Sequence, residues 1–173
     1  MITIVGFLSR PHGYNALYAI IGNPNYHLLK VFTHKLKPKS EDIDRSERDD
    51  YSLFEQICGK NNIPLETIDS NSQIINNVPK CDFIVEISWR YLISKEIVKQ
   101  ASTLAFGVHR GKLPDYAGSE PIKQALEKNE SEIVLSAHHL AEEIDSGGTI
   151  NTITHLVNYE NSKSLTQNIQ RLR

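Results

Sequence analysis

A chain of 173 residues, 39% hydrophobic and 23% charged, is long enough for a real core and too apolar for wholesale disorder. A formal net charge of −2 with no long basic run gives no reason to expect a nucleic-acid partner. No apolar run reaches the roughly 18 residues of a membrane span, and MITIVGFLS lacks a basic leader followed by a long apolar stretch, so a cytoplasmic protein without a membrane partner is expected.

Residues 2–8 read as a short buried strand, 9–13 as a turn rich in breakers, and 14–21 as a helix ended by Gly22-Asn23-Pro24-Asn25. Residues 27–33 form a second strand. Residues 35–48 read as an exposed loop, with Arg45 and Arg48 solvated among Glu41, Asp42, Asp44 and Glu47. Asp49 or Asp50 caps a helix whose Leu53, Phe54, Ile57 and Cys58 recur at helical spacing. Residues 63–68 are a short strand candidate and 82–88 a stronger one. Ser94 caps a helix carrying Ile97, Val98 and Ala101, and residues 104–108 are the next strand. Ser119 caps a helix with Ile122, Ala125 and Leu126. Residues 132–138 and 149–157 are two further strands, expected to pair antiparallel, and Leu165, Ile169 and Leu172 align on a terminal helix. Strands alternating with helices predict an α/β class: one domain over residues 1–173 with a Rossmann-like, mostly parallel sheet and helices on both faces.

The richest stretch is residues 105–150. One apolar strand delivers His109 into a loop punctuated by Gly111, Pro114 and Gly118. A second delivers His138, and Asp145 comes seven residues later, just ahead of Ser146-Gly147-Gly148. Open parallel sheets bind ligands at the carboxyl ends of their strands. A histidine there can donate to a developing oxyanion or exchange protons near neutral pH, and a nearby carboxylate favours its protonated form. Taken alone, His109 is equally a packing residue; its loop and the second segment point to chemistry. Cys58 and Cys81 match no zinc spacing and read as structural thiols. His12, His27, His34 and His155 have no recognisable partner in sequence and read as surface or core. No cluster suggests a metal site.

HRGKLPDYAG resembles the formyltransferase signature of Asn-x-His followed by Leu-Pro and Tyr-x-Gly elements. SAHHLAEEIDSGG resembles that family's second signature, a Thr-x-His followed seven residues later by Asp and then Gly. The order of elements matches over essentially the whole chain. The resemblance implies a single formyltransferase-like catalytic domain lacking a C-terminal extension, working in one-carbon metabolism. Its formyl donor would be formyl-tetrahydrofolate, with no metal. Its acceptor would be the primary amine of a small molecule, a nucleotide-linked amino sugar being the leading expectation. The resemblance makes His109, Asp145 and His138 the catalytic set. It places Trp89, Arg90, Tyr91, Leu92 and Ile93 against the pteridine, with Leu140, Ala141 and Ile144 closing the other side. Gly13 and Asn15 fall where relatives bind a substrate phosphate, and Lys112 beside the first signature is a further substrate-binding candidate. The family asparagine falls at Gly107, which has no side-chain donor. Losing one oxyanion donor typically costs on the order of 3 kcal/mol. Two alternatives therefore stand beside transfer: a folate-binding module with impaired catalysis, and a formyl-tetrahydrofolate hydrolase. The oligomeric state is left open.

Overall fold

β-Branched and apolar runs become strands, and the runs between them become helices. The computed structural model describes residues 1–141, 143 and 145–159. Ile144 and the expected terminal helix lie outside the described residues. The order is β1 (Ile2–Leu8), α1 (Arg10–Ile21), β2 (Tyr26–Thr33), α2 (Tyr51–Lys60), β3 (Leu65–Thr67), β4 (Cys81–Ile87), α3 (Lys95–Val98), β5 (Ala101–His109), α4 (Pro121–Glu127), β6 (Glu132–His139) and β7 (Thr149–Leu156). The strand order is β3-β2-β1-β4-β5-β6-β7, an α/β architecture with a mostly parallel sheet, as the alternation predicts. Among the described residues no helix is long and apolar enough to cross a membrane. The chain forms two compact units, Met1–Ala105 and Phe106–Arg173, and β5 belongs to both.

In the first unit β1 is central, paired in parallel with β2 and β4, while β3 extends β2 in parallel. Its near-continuous apolar run suits a strand covered on both faces. Val5, Phe7 and Leu8 are fully buried, and Phe7 stacks on Phe32 with ring centroids 4.7 Å apart. At the opposite end Asp82 accepts from the Thr3 amide and hydroxyl and from Ser102, tying β1, β4 and β5 together. Cys58 and Cys81 are buried and free, and burial pushes both thiols up to about 11.

Four expectations in this unit need correction. The turn at 9–13 is the first turn of α1, because Pro11 is tolerated where helical N–H groups have no partner anyway. The loop residue Arg48 is buried: it donates to the carboxylate of Asp50, the His34 carbonyl and the Ser9 hydroxyl. Asp50 does occupy the N-cap of α2, yet its carboxylate is committed to Arg48 and makes no capping bond. Helix α3 stops at Val98, and Ala101 opens β5 instead of extending the helix.

Gly13 shows what α1 requires. A Cβ there would lie 2.9 Å from the backbone carbon of Leu8, so the helix rides directly on the end of β1. Alanine would gain about 1 kcal/mol of helix propensity. The displaced backbone costs about 1–3 kcal/mol, so Gly13→Ala is expected to lower the melting temperature by several degrees in a thermal denaturation.

His34, just past β2, is fully buried. Its Nδ1 donates to the Ile68 carbonyl and its Nε2 accepts the Arg90 amide at 3.1 Å, which defines a neutral ring. Burial, then the neighbouring charge of Arg90, lowers its pKa from 6.5 to about 3. Between those values the unfolded chain binds a proton here and the folded chain does not, so stability falls as pH drops through that window. About 2 kcal/mol is expected to be lost from this group between pH 8 and pH 5. Urea denaturation across that range should show the slope, and His34→Gln should flatten it.

In the second unit β6 pairs antiparallel with both β5 and β7. The β6–β7 pairing was expected; the antiparallel β5–β6 pairing was not. Tyr116, Ile122, Ala125 and Ile133 form the core here, with Leu126, Leu135 and Val157 packed against it. Ser119 does not cap α4. Glu120 holds the N-cap, Pro121 starts the helix, and the Ser119 carbonyl accepts from the Gln124 side chain at 2.7 Å.

Candidate active site

Strand periodicity sets the site in the second unit. His109 ends β5, opposite Ser136 on β6, and Gly107 lies opposite His138. Residues two apart on a strand, and residues directly across a pair, share a sheet face. Gly107, His109, Ser136 and His138 therefore share one face.

The loop leaving β5 is clamped back onto that face. Ser136 Oγ donates to the Gly111 carbonyl at 2.8 Å and accepts the Leu113 amide at 3.3 Å. Tyr116 is buried, its hydroxyl donates to Glu130 at 2.5 Å, and Lys128 lies over its ring at 4.7 Å. Gly111 is required by close approach: a Cβ would stand 2.6 Å from Pro121 and 2.9 Å from His109 Nε2.

Asp145 lies between two imidazoles. Its Oδ2 is 3.2 Å from His109 Nδ1 and its Oδ1 is 3.6 Å from His138 Nε2. Gly118 N–H also donates to Oδ2 at 3.0 Å. Both far nitrogens are anchored to backbone carbonyls. His109 Nε2 donates to Tyr116 O at 2.6 Å, and His138 Nδ1 donates to His139 O at 3.0 Å. His138 Nε2 has no hydrogen-bond partner among the described residues. Asp145 itself takes a left-handed backbone, φ 55°, which Asp tolerates better than most residues. The side chains of all three are largely buried, so their mutual electrostatics are stronger than in water.

The other expected residues lie as follows. Lys112 is exposed and pairs with Asp115 at 3.3 Å. Gly13 and Asn15 sit inside α1, where the Gly13 amide donates to Ser9 O and so is committed within the fold. In the first unit, the stretch after β4 begins with Trp89 and Arg90, whose amides donate to Glu86 and His34. The Trp89 ring stacks on His34 at 4.1 Å and meets Phe7 and Tyr91 edge-on. Ile93 is buried and Leu92 exposed. Trp89 Nε1 and Arg90 Nε are buried donors without a hydrogen-bond partner among the described residues. Leu140 and Ala141 are half-buried. A cleft of about 430 Å³ in the second unit is lined by Arg110, Gly111, Tyr116, Lys128, Glu130 and Ile133. It shares Gly111 and Tyr116 with the clasp on His109, and its lining includes neither imidazole nor Asp145.

The chain as a whole has relatives among known proteins. A family profile described as formyl transferase matches residues 20–172. The chain belongs to the formyl transferase family. It is 28% identical over 128 residues to a methionyl-tRNA formyltransferase of Clostridium acetobutylicum, covering 71% of this chain and 40% of that protein. It is 30% identical over 112 residues to formyltetrahydrofolate deformylase 2, mitochondrial, of Arabidopsis thaliana, covering 62% and 34%. The chain thus spans well under half the length of these two curated relatives. A solved phosphoribosylglycinamide formyltransferase from Bacillus halodurans superposes with a TM-score of 0.69 at 19% identity, over 98% of this chain and 88% of that one. At that identity the likeness speaks to the fold.

Three contacts of this candidate site had no role assigned in sequence: the Tyr116 carbonyl, Ser136 and the Gly118 amide. Ser136 was within reach, since it alternates with His138 on β6. Tyr116 and Gly118 stand in the Tyr-x-Gly element of the first signature, which does not tell that their backbone groups meet His109 and Asp145.

Proposed function

We propose that this formyl transferase chain moves a formyl group from formyl-tetrahydrofolate to a primary amine. The observation that carries the reading is the 3.2 Å pairing of His109 with Asp145 at the carboxyl end of β5. The amine nitrogen attacks the formyl carbon, the carbonyl electron pair moves to oxygen, and the nitrogen sheds a proton. His109 steadies the developing oxyanion and Asp145 takes the proton. In this state His109 Nε2–H points at Tyr116 O. Donation to the formyl oxygen means sharing or exchanging that bond. When the adduct collapses, the bond to the tetrahydrofolate nitrogen breaks and that nitrogen receives a proton. Gly107 supplies no side-chain donor to the oxyanion, so more of the burden falls on His109.

The folate itself supplies an activated formyl carbon. Residues 89–93, in the first unit, are the stretch we propose contacts the pteridine. The two buried donors Trp89 Nε1 and Arg90 Nε suit a ring rich in acceptor nitrogens. The acceptor we favour is a small molecule, with a nucleotide-linked amino sugar first in the test panel. The commitment of the Gly13 amide within α1 argues against a phosphate held at that turn.

A second reading is hydrolysis, in which water replaces the amine. It is favoured by the 30% identity to a deformylase together with the glycine at position 107. Release of tetrahydrofolate from formyl-tetrahydrofolate, measured with and without a panel of amines, separates the two. Amine-dependent turnover supports transfer and amine-independent turnover supports hydrolysis. Binding of tetrahydrofolate with no turnover in either case would leave a folate-binding module.

A further inference from the structure

The two imidazoles beside Asp145 are anchored alike but their near contacts are unequal. His109 Nδ1 approaches one carboxylate oxygen at 3.2 Å, whereas His138 Nε2 stays 3.6 Å from the other without a hydrogen bond. A carbonyl can only accept, so the bond from His138 Nδ1 to His139 O places a hydrogen on Nδ1. In the neutral ring Nε2 then carries a lone pair, which faces carboxylate oxygen rather than bonding to it. His138 is 3% exposed, so water does not readily take up the slack. Directly across from it stand Gly107 on β5 and Thr149 on β7, neither of them ionisable. Against its Nε2 stands Asp145, with His109 on the far side of that carboxylate.

We infer that His138 is the proton-holding partner of Asp145: its Nε2 takes over the proton that Asp145 collects. This rests on the transfer reading given above. As the amine attacks, the N–H bond breaks toward Asp145 Oδ1, and the proton moves on to His138 Nε2, closing the contact that is long in the resting state. Asp145 thereby stays ionised beside His109 while the oxyanion exists. On collapse the carbonyl reforms, the bond from carbon to the tetrahydrofolate nitrogen breaks, and that nitrogen takes the proton back from His138 through Asp145. No proton is gained or lost over the cycle. His138 acts through Asp145 and is a positioning residue.

Two measurements test this. Nitrogen-15 NMR of histidine-labelled chain without substrate, at about pH 8, should show His138 with hydrogen on Nδ1 and none on Nε2. A hydrogen on Nε2 in that spectrum overturns the inference. His138→Asn keeps a donor for His139 O but has no base at the Nε2 position. It should lower kcat roughly 100-fold with KM for formyl-tetrahydrofolate within about three-fold, and should remove about one unit of slope from the acid side of log kcat against pH. A kcat within about three-fold of the parent and an unchanged slope, in a variant that melts normally, also overturns it. If the parent chain turns over nothing, the transfer reading fails, and the NMR result alone decides the state of His138.

Discussion

Asp145→Asn is expected to lower kcat by roughly three orders of magnitude while KM for formyl-tetrahydrofolate stays within a few-fold. Asp145 is the point where His109, His138 and the Gly118 amide meet. Asparagine is nearly the same size and its oxygen can still accept from Gly118, so the loop should keep its course. What disappears is the charge that favours protonated imidazole and the oxygen that receives the amine proton. Its amide NH2 would also face one imidazole nitrogen, donor toward donor when that nitrogen is protonated. The control is Asp115→Asn, which breaks an exposed pair with Lys112 and should leave kcat unchanged within error. Steady-state kinetics with a competent amine checks both. An Asp145→Asn variant retaining more than about a tenth of the parental kcat would remove Asp145 from the proposed chemistry.

Arg48→Met should be the most damaging single change to stability, at roughly 3–5 kcal/mol. The guanidinium is 3% exposed and makes two bonds to Asp50, at 2.9 and 2.8 Å, with a third to the His34 carbonyl at 2.7 Å. Methionine fills similar volume but strands a half-buried carboxylate and a buried carbonyl. For a chain of this length the melting temperature should fall by about 10 °C. The exposed pair of Arg10 with Glu41 makes the contrast, because its removal is expected to change stability by less than about 1 kcal/mol. Differential scanning calorimetry of both variants would separate a buried ion pair from a surface one. A loss below about 1 kcal/mol for Arg48→Met would show that solvent reaches Asp50 once the arginine is gone.

The features legible in sequence are those with a local signal. β1, β4 and β6 announce themselves as apolar runs, and His109 and His138 stand out because each follows such a run. Features set by distant partners were hidden. Arg48 looked solvated among acidic neighbours, and its burial depends on Ser9 and His34, 39 and 14 residues away. His34 is neutral because it is buried, and the amide that meets its ring comes 56 residues later. The start of α1 was misplaced because Pro11 and Gly13 both read as breakers. Proline is harmless in a first helical turn, and Gly13 answers a packing demand from Leu8. The antiparallel run of β5 beside β6 is a choice of sheet direction that alternation of strands and helices leaves unspecified.

Tyr116 reaches in two directions at once. Its backbone oxygen meets His109, while its ring and hydroxyl are set among Ile122, Ala125, Ile133 and Glu130. The orientation of the reactive imidazole is thus inherited from a packed interior and not from the wandering of a surface segment. Stiffness in α4 becomes accuracy at His109, and substitutions that loosen the first will blur the second without touching any group that meets substrate.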